Sequence, residues 1–231
     1  MEDLIPYLDL SVSACFSAGI WSLPSSIPPN LDALIYSVPI SSNTVVSSWI
    51  SNGKPSFHTF QKKFFQDLET VQWSNFIWFK HHATRFSIYS WMAFRNGLKT
   101  ADALISRGIS ASPECVFCKT DKENLKHLLF ECDFSYNILL NTLPQMSYML
   151  FRPNLWKVYN NIEEWEMDSS RKSLCYILLT AIVYFIWKAR NDRLFGNIIE
   201  CQTTVTGNIK RAVLLKILKK KCFQNLHHWL K

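Results

Sequence analysis

Four metal-ligating side chains fall within eighteen consecutive residues, and nothing else in the chain restricts its fold as much. They lie in Pro113-Glu-Cys115-Val-Phe-Cys118, followed by Glu123-Asn-Leu-Lys-His127-Leu-Leu-Phe-Glu-Cys132. Two cysteines two residues apart on a tight turn bring both sulfurs within reach of one small ion, and His127 and Cys132 complete a Cys-Cys-His-Cys set. Thiolate and imidazole suit a borderline-soft ion. Four such ligands close a tetrahedron with no position left for water, which predicts a structural zinc rather than a catalytic one. His127 and Cys132 are close to one helical turn apart, and Leu125 to Glu131 reads as a short helix, so one ligand pair is expected on a turn and the other on a helix. Two competing readings are cysteines that merely pack in the core and a redox C-x-x-C. The first is hard to reconcile with four ligand types at this spacing, and the second needs a strand-helix alternation that is not found around Cys115.

A closed knuckle of this size needs a body to belong to. The chain has 231 residues, 48% of them apolar, enough for a real core, while six glycines in all argue against a turn-rich β sandwich. Outside the ligand set four cysteines remain, Cys15, Cys175, Cys201 and Cys222, and scattered thiols of this kind point to a reducing compartment, nucleus or cytoplasm. Glu2 and Asp3 stand where a secretory signal would carry positive charge. The longest apolar run, Leu174 to Trp187, is shorter than the roughly 20 residues of a membrane span and predicts a buried helix. The net charge is +7, and all of the excess lies in the last segment: Cys201 to Lys231 holds Lys210, Arg211, Lys216, Lys219, Lys220, Lys221 and Lys231 and no acid. A basic tail of this kind is an electrostatic footprint for polyanions, nucleic acid above all, although a merely solvated helix face has the same composition.

In chain order, residues 1–56 are rich in Ser and Pro and read as an irregular linker segment, with short helices expected at Asp3 to Ser17 and Asn30 to Ser37 and an extended piece around Asn52-Gly53. Residues 57–143 turn helical. Phe60, Phe64 and Leu68 share one face, Thr84 to Asn96 forms a helix closed at Asn96-Gly97, and Thr100 caps a short helix that Gly108 ends. After the knuckle, Asp133 is the expected N-cap of a helix reaching Leu143, stopped by Pro144. Residues 144–231 make a C-terminal helical segment. Its 145–168 part is mixed, and its longest helix runs from about Arg171 to Phe195, starting at Ser169 or Ser170 with Gly196 as C-terminal cap. A basic last helix aligns Ile209, Val213 and Ile217. The expected class is mainly α, an irregular helical bundle stapled by one zinc knuckle.

Several of these residues together resemble a known family, the zinc-binding domain that follows the reverse transcriptase of plant LINE-type, non-LTR retrotransposons. The resemblance is carried by Trp73-(x4)-Trp78, Arg85-Phe86-Ser-Ile-Tyr-Ser-Trp91, Gly97-Leu98-Lys-Thr100-(x3)-Leu104-(x2)-Arg107-Gly108, and Cys115-x-x-Cys118 with Glu123-(x3)-His127-Leu-Leu-Phe-Glu-Cys132. It is close over residues 57–143 and looser at Gly19-Ile-Trp21-Ser-Leu-Pro24 and at Ile186-Trp187-Lys-Ala-Arg190-Asn191-(x3)-Phe195; His82-Ala83 stands where the family often has Pro. The resemblance implies a piece of a retroelement protein, or a gene derived from one, separated from its polymerase.

The chain has no Asp-Asp pair of the polymerase kind and no ribonuclease H carboxylate set, so the expected activity is non-enzymatic. Two functions compete. One is binding of RNA or single-stranded DNA through Lys119, Lys122 and Lys126 of the knuckle and Lys210, Arg211, Lys219, Lys220 and Lys221 of the tail, with Phe117 as a base-stacking candidate that could equally pack in the knuckle. The other is a zinc-stapled scaffold for a protein partner such as a reverse transcriptase domain in trans, suggested by the aromatic excess. A relic without selected function is a further alternative. His81-His82 and His227-His228 read as solvated or core-edge histidines.

Overall fold

The computed structural model of the chain describes residues 15–17, 20–25, 27–38, 50–51, 54–69, 71–149 and 151–230. Residues 1–69 and residues 70–231 form two compact units. The first holds two minimal antiparallel pairs, β1 (Phe16–Ser17) with β2 (Ile20–Trp21) and β3 (Ile50–Ser51) with β4 (Lys54–Pro55), and two helices, α1 (Pro29–Tyr36) and α2 (Phe57–Phe64). Phe16 and Ser17 are paired rather than helical; the rest of the helix expected from Asp3, up to position 14, lies outside the described residues, as do Asn52 and Gly53 of the expected extended piece. Ser56 caps α2 by accepting from the Thr59 N–H at 3.3 Å. Phe57, Phe60 and Phe64 stack along that helix as a ladder, and no residue of it is buried.

The second unit is the helical bundle. It contains α3 (Ser74–Ile77), α4 (Thr84–Phe94), α5 (Ala101–Ile105), the knuckle, α6 (Asp133–Thr142), α7 (Leu155–Glu164), α8 (Ser169–Phe195) and α9 (Gln202–Ile217), closed by a 3-10 stretch at Lys221–Leu230. The axis of the bundle is α8. Every residue from Leu174 to Tyr184 is buried, as the apolar run predicts, because α4 and α9 flank the helix and α7 also packs on it. By length and composition α8 is apolar enough to cross a membrane, yet 72% of its apolar window is covered by protein. One core therefore joins helices on both sides of residue 143, the boundary drawn from motif extent.

The aromatic excess is largely consumed in this core. Phe76 stacks on Tyr159 at 5.3 Å and contacts Tyr176, Phe94 meets Tyr159 and Trp156, and Trp73 stacks on Phe94 at 6.0 Å. Such ring pairs contribute about 0.5–1.5 kcal/mol each beyond the area they bury.

Helix ends follow the sequence in position more than in mechanism. In α4 the left-handed residue is Asn96 (φ 49°), ahead of Gly97, whose N–H returns to the Met92 carbonyl at 2.7 Å. The N-cap of α8 is Asp168, whose Oδ1 accepts from the N–H groups of Ser170 and Arg171 at 2.9 Å each; a carboxylate one residue earlier displaces the expected serine. At its far end the left-handed position is taken by Asn197 (φ 54°) rather than Gly196. Cys132, not Asp133, occupies the N-cap position of α6. The segment called mixed contains α7, whose Asn154 cap accepts from the Lys157 N–H at 2.9 Å and whose Leu155, Val158, Tyr159 and Ile162 are buried at helical spacing.

Candidate metal centre and basic face

The knuckle begins with a narrow loop. Glu114 bridges Lys122, the Cys115 N–H donates to the Asp121 carbonyl at 2.8 Å, and the Glu123 N–H donates to Pro113 at the same distance. Within the loop the Lys119 N–H closes the C-x-x-C turn onto the Cys115 carbonyl at 2.9 Å, and Lys119 itself adopts φ 59°. Backbone N–H groups thereby turn toward the two sulfurs, a common way of stabilising thiolates.

The second ligand pair corrects the simple helix expectation. Five residues along an α-helix rotate by about 140°, which would aim His127 and Cys132 at different faces. The chain instead makes one helical turn, started by Asn124, whose Oδ1 accepts the His127 N–H at 2.9 Å, and then breaks. Leu129 leaves the helical region and Phe130 takes φ 90°, ψ −10° while fully buried. Cys132 arrives in extended conformation with its N–H on the His127 carbonyl at 2.8 Å. A bulky side chain at positive φ costs on the order of 1–3 kcal/mol and persists only where surroundings dictate it. Here Ser135 does so: its hydroxyl accepts from the Phe130 N–H at 3.0 Å and reaches the Cys132 carbonyl at 3.1 Å.

The break brings the four ligand atoms together. The Cys115, Cys118 and Cys132 sulfurs and a His127 ring nitrogen all lie within 4.8 Å of one another. Cys115 Sγ and Cys132 Sγ are 3.9 Å apart, and Cys118 Sγ lies 3.3 Å from His127 Nε2. Tetrahedral zinc with bonds of about 2.3 Å to sulfur and about 2.0–2.1 Å to nitrogen has edges of roughly 3.8 Å (S···S) and 3.6 Å (S···N), so the residues present fit such an ion. Electrostatics point the same way. The hydrogen bond from Cys132 is the largest influence holding the Cys115 thiol down at about 5, and the same pairing pushes Cys132 up. Burial opposes a charged His127, but contact with Cys118 and Cys115 raises it above its ordinary value. The cluster thus collects negative charge at a point that a cation neutralises.

Glu123 ties this centre to the rest of the bundle. It is 2% exposed, and its carboxylate accepts from Arg190 Nη2 at 2.6 Å and from Nε at 3.2 Å on both oxygens. It also accepts the Ala101 N–H at 2.9 Å, capping α5, the role the sequence assigns to Thr100, whose hydroxyl instead meets Asp102 at 2.5 Å. Arg190 lies over the Trp187 ring at 5.0 Å and donates to Asn191 at 3.0 Å, so the Trp187-x-x-Arg190-Asn191 segment is the counterpart of Glu123. Next to it Arg193 covers the Phe117–Phe134 pair, which stacks at 4.1 Å, and donates to the Val116 and Glu200 carbonyls. Phe117 is therefore packed in the knuckle rather than free to stack on a base.

The basic residues fall on separate surfaces. Lys119, Lys122 and Lys126 are exposed on the knuckle. Of the tail, Arg211, Lys219, Lys220 and Lys221 are exposed and Lys210 is half-buried, while Val205, Ile209, Val213 and Ile217 form the buried stripe of α9. Lys220 and Lys216 approach His81 and Lys80, which precede α4. Lys80, Arg85 and Lys188 were not selected from the sequence, because they are far from the tail in the chain and only helix packing gathers them.

Residues 56–138 match the family model described as zinc-binding in reverse transcriptase, a segment that contains the whole ligand set and ends inside α6. A putative ribonuclease H protein of Arabidopsis thaliana is 25% identical over 134 residues, 57% of this chain and 21% of that protein, so the chain spans about a fifth of the relative's length. No solved structure matches the chain. The assembled Cys-Cys-His-Cys cluster therefore lies wholly within residues 56–138, the segment that matches the family described as zinc-binding in reverse transcriptase.

Proposed function

We propose that the chain is a non-enzymatic zinc module of retrotransposon origin that binds RNA or single-stranded DNA in the nucleus or cytoplasm. The observation that carries the zinc assignment is the ligand shell: three sulfurs and one ring nitrogen at tetrahedral spacing, with no fifth ligand side chain in the cluster among the described residues. A structural ion of this kind folds its loop, and here it would hold the turn bearing Cys115 against the break bearing Cys132, while Arg190 and Arg193 of α8 bond Glu123 and the Val116 carbonyl of the same loop. Nucleic-acid binding is supported by the acid-free basic segment after Cys201.

Metal analysis of the purified full chain tests the first part: one zinc per chain is expected, lost in Cys118→Ser with a fall in Tm, and a chain that purifies folded without metal refutes it. Anisotropy titration of labelled RNA and single-stranded DNA from low to physiological salt tests the second, and absence of binding at low salt by the zinc-loaded protein refutes it.

A second reading, contact with a protein such as a reverse transcriptase domain, is favoured by one observation, the α2 ladder. Phe57 and Phe64 remain largely exposed there, with Phe65 at the C-cap packed edge-on against Phe64. Co-purification with such a domain, abolished by Phe57→Ser/Phe64→Ser with the bundle's Tm unchanged, would select it.

A further inference from the structure

The last turn before α4, the first turn of α4, the outer face of α8 and the C-terminal half of α9 enclose a groove of about 300 Å³. Its wall is aromatic: Phe86 and Tyr184 pack at 5.3 Å, and Tyr184 meets Phe185 edge-on at 5.1 Å. Its rim is cationic, formed by Arg85, Lys188 and Lys216. The Arg85 guanidinium carbon lies over the Tyr184 ring, 4.9 Å from its centroid.

The positive surface continues beyond the groove. Burial and the positive charges of Lys80, Lys220 and Lys216 hold His81 below its ordinary value, so these three ammonium groups share one neighbourhood. His81 is fixed edge-on against Phe223 at 5.3 Å, which keeps the 3-10 stretch carrying Lys221 against the turn that carries Lys80. Among the described residues the rim has one ion pair, Lys188 with Asp192, and Lys80, Arg85, Lys216 and Lys220 have none. Five basic side chains from three separate stretches of sequence thus converge beside an aromatic wall, and the acids that act on them, Asp192 and Glu200, act on Lys188.

A charged rim alone would suit any polyanion. The combination of a cationic track, a guanidinium held over a tyrosine ring and a half-buried ring, Phe185, suits a chain that carries a phosphate at each step and a planar group between steps, whereas an acidic peptide supplies only the charge. The knuckle offers less. Its three lysines are exposed on a loop whose aromatic ring, Phe117, is already stacked on Phe134 and covered by Arg193. Building on the reading of the chain as a nucleic-acid binder, we propose that a single-stranded nucleic acid lies across the α4–α8–α9 groove, its phosphates on Lys80, Arg85, Lys216 and Lys220, and that the zinc knuckle serves as the brace of this surface rather than as the contact.

The test uses the zinc-loaded full chain and labelled 16-nucleotide oligo-U and oligo-dT in salt titrations. Arg85→Gln/Lys216→Gln removes two phosphate contacts, so the slope of log affinity against log salt should become shallower by about 1.4, at about 0.7 per contact on a single strand, and affinity at low salt should fall at least tenfold. Lys216→Gln/Lys220→Gln, which spares the Arg85–Tyr184 contact, should do the same with Tm and zinc content unchanged, so loss of fold is not mistaken for loss of binding. Phe185→Ala should weaken binding severalfold with the slope unchanged. The knuckle triple Lys119→Gln/Lys122→Gln/Lys126→Gln should stay within about threefold of the unmodified chain. A chain that binds but loses affinity in the knuckle triple and keeps it in both groove doubles overturns the assignment of the surface while leaving nucleic-acid binding intact. Oligoglutamate competing as well as oligo-U overturns the choice of occupant, and no binding by the unmodified chain at low salt overturns the underlying reading and this inference with it.

Discussion

Removing the Glu123 carboxylate is the sharpest perturbation this structure suggests. Glu123 and Arg190 are 2% and 3% exposed, and the contact spans 67 positions of sequence, from the knuckle to the far end of α8. In Glu123→Ala the Arg190 guanidinium stays buried with only Asn191 and the Trp187 ring as partners, and the Ala101 N–H at the start of α5 loses its acceptor. Breaking a buried pair from one side costs about 3–5 kcal/mol, because the remaining charge is uncompensated. With a urea m-value of about 2 kcal/mol/M the midpoint should fall by roughly 1.5–2.5 M. Arg190→Ala should cost a similar amount, since the buried carboxylate then keeps the Ala101 N–H as its donor. The double variant should lose less than the sum of the two by about 2 kcal/mol, because neither charge is then left alone. The assay is urea unfolding of the zinc-loaded chain followed by tryptophan fluorescence and far-UV circular dichroism, with coincident transitions as the check on two-state behaviour. Metal content should stay at the unmodified chain's value, as no ligand is touched. Single losses under about 1 kcal/mol, or additivity within about 0.5 kcal/mol, would show that knuckle and α8 are not coupled through this pair.

Three further predictions rest on separate observations. At Phe130 the usual ranking should invert: Phe130→Gly and Phe130→Ala both lose several kcal/mol of buried ring, but Gly should be the milder by about 1 kcal/mol because only Gly relaxes at φ 90°, and equal losses in thermal unfolding would deny the strain. In thiol labelling of the zinc-loaded chain Cys201 should react first, since hydroxyl bonds from Thr203 and Thr204 bring its exposed thiol down to about 7, while burial pushes Cys175 up to about 12; early labelling of Cys175 would contradict the packing of α8. Metal affinity should rise with pH through the titration of His127. Its raised value in the metal-free cluster means the proton is held to a higher pH than in an ordinary histidine and must be expelled by the metal, so competition with a chelator should strengthen as pH falls, and a flat profile would exclude His127 as a ligand.

Much of the metal centre was legible in the residues because its information is local: ligand identity and spacing name the ion class, and these eighteen residues lie inside the longer family pattern. The buried central helix was equally legible, since fourteen residues in a row, Leu174 to Trp187, are apolar but for Thr180 and have no other stable place in water. The helix missed in the mixed segment, α7, had a readable signal in Asn154 followed by Leu155, Val158, Tyr159 and Ile162, hidden by the neighbouring proline and acids.

What sequence alone determined, then, is the ligand set, the helical class and the excess charge of the last segment, each a property of composition and short-range periodicity. Tertiary structure decided how these parts are used. Phe130 at φ 90° brings His127 and Cys132 into one cluster, a conformation no propensity favours and only the surrounding core enforces. Glu123 became the cap of α5 and the counter-ion of Arg190, although Thr100 stood nearer in the chain, because a buried guanidinium requires a carboxylate and a helix start accepts one. The basic tail became half of a surface whose other half is Lys80 and Arg85, since charge acts through space and residues 131 to 140 positions apart meet where α9 returns to α4.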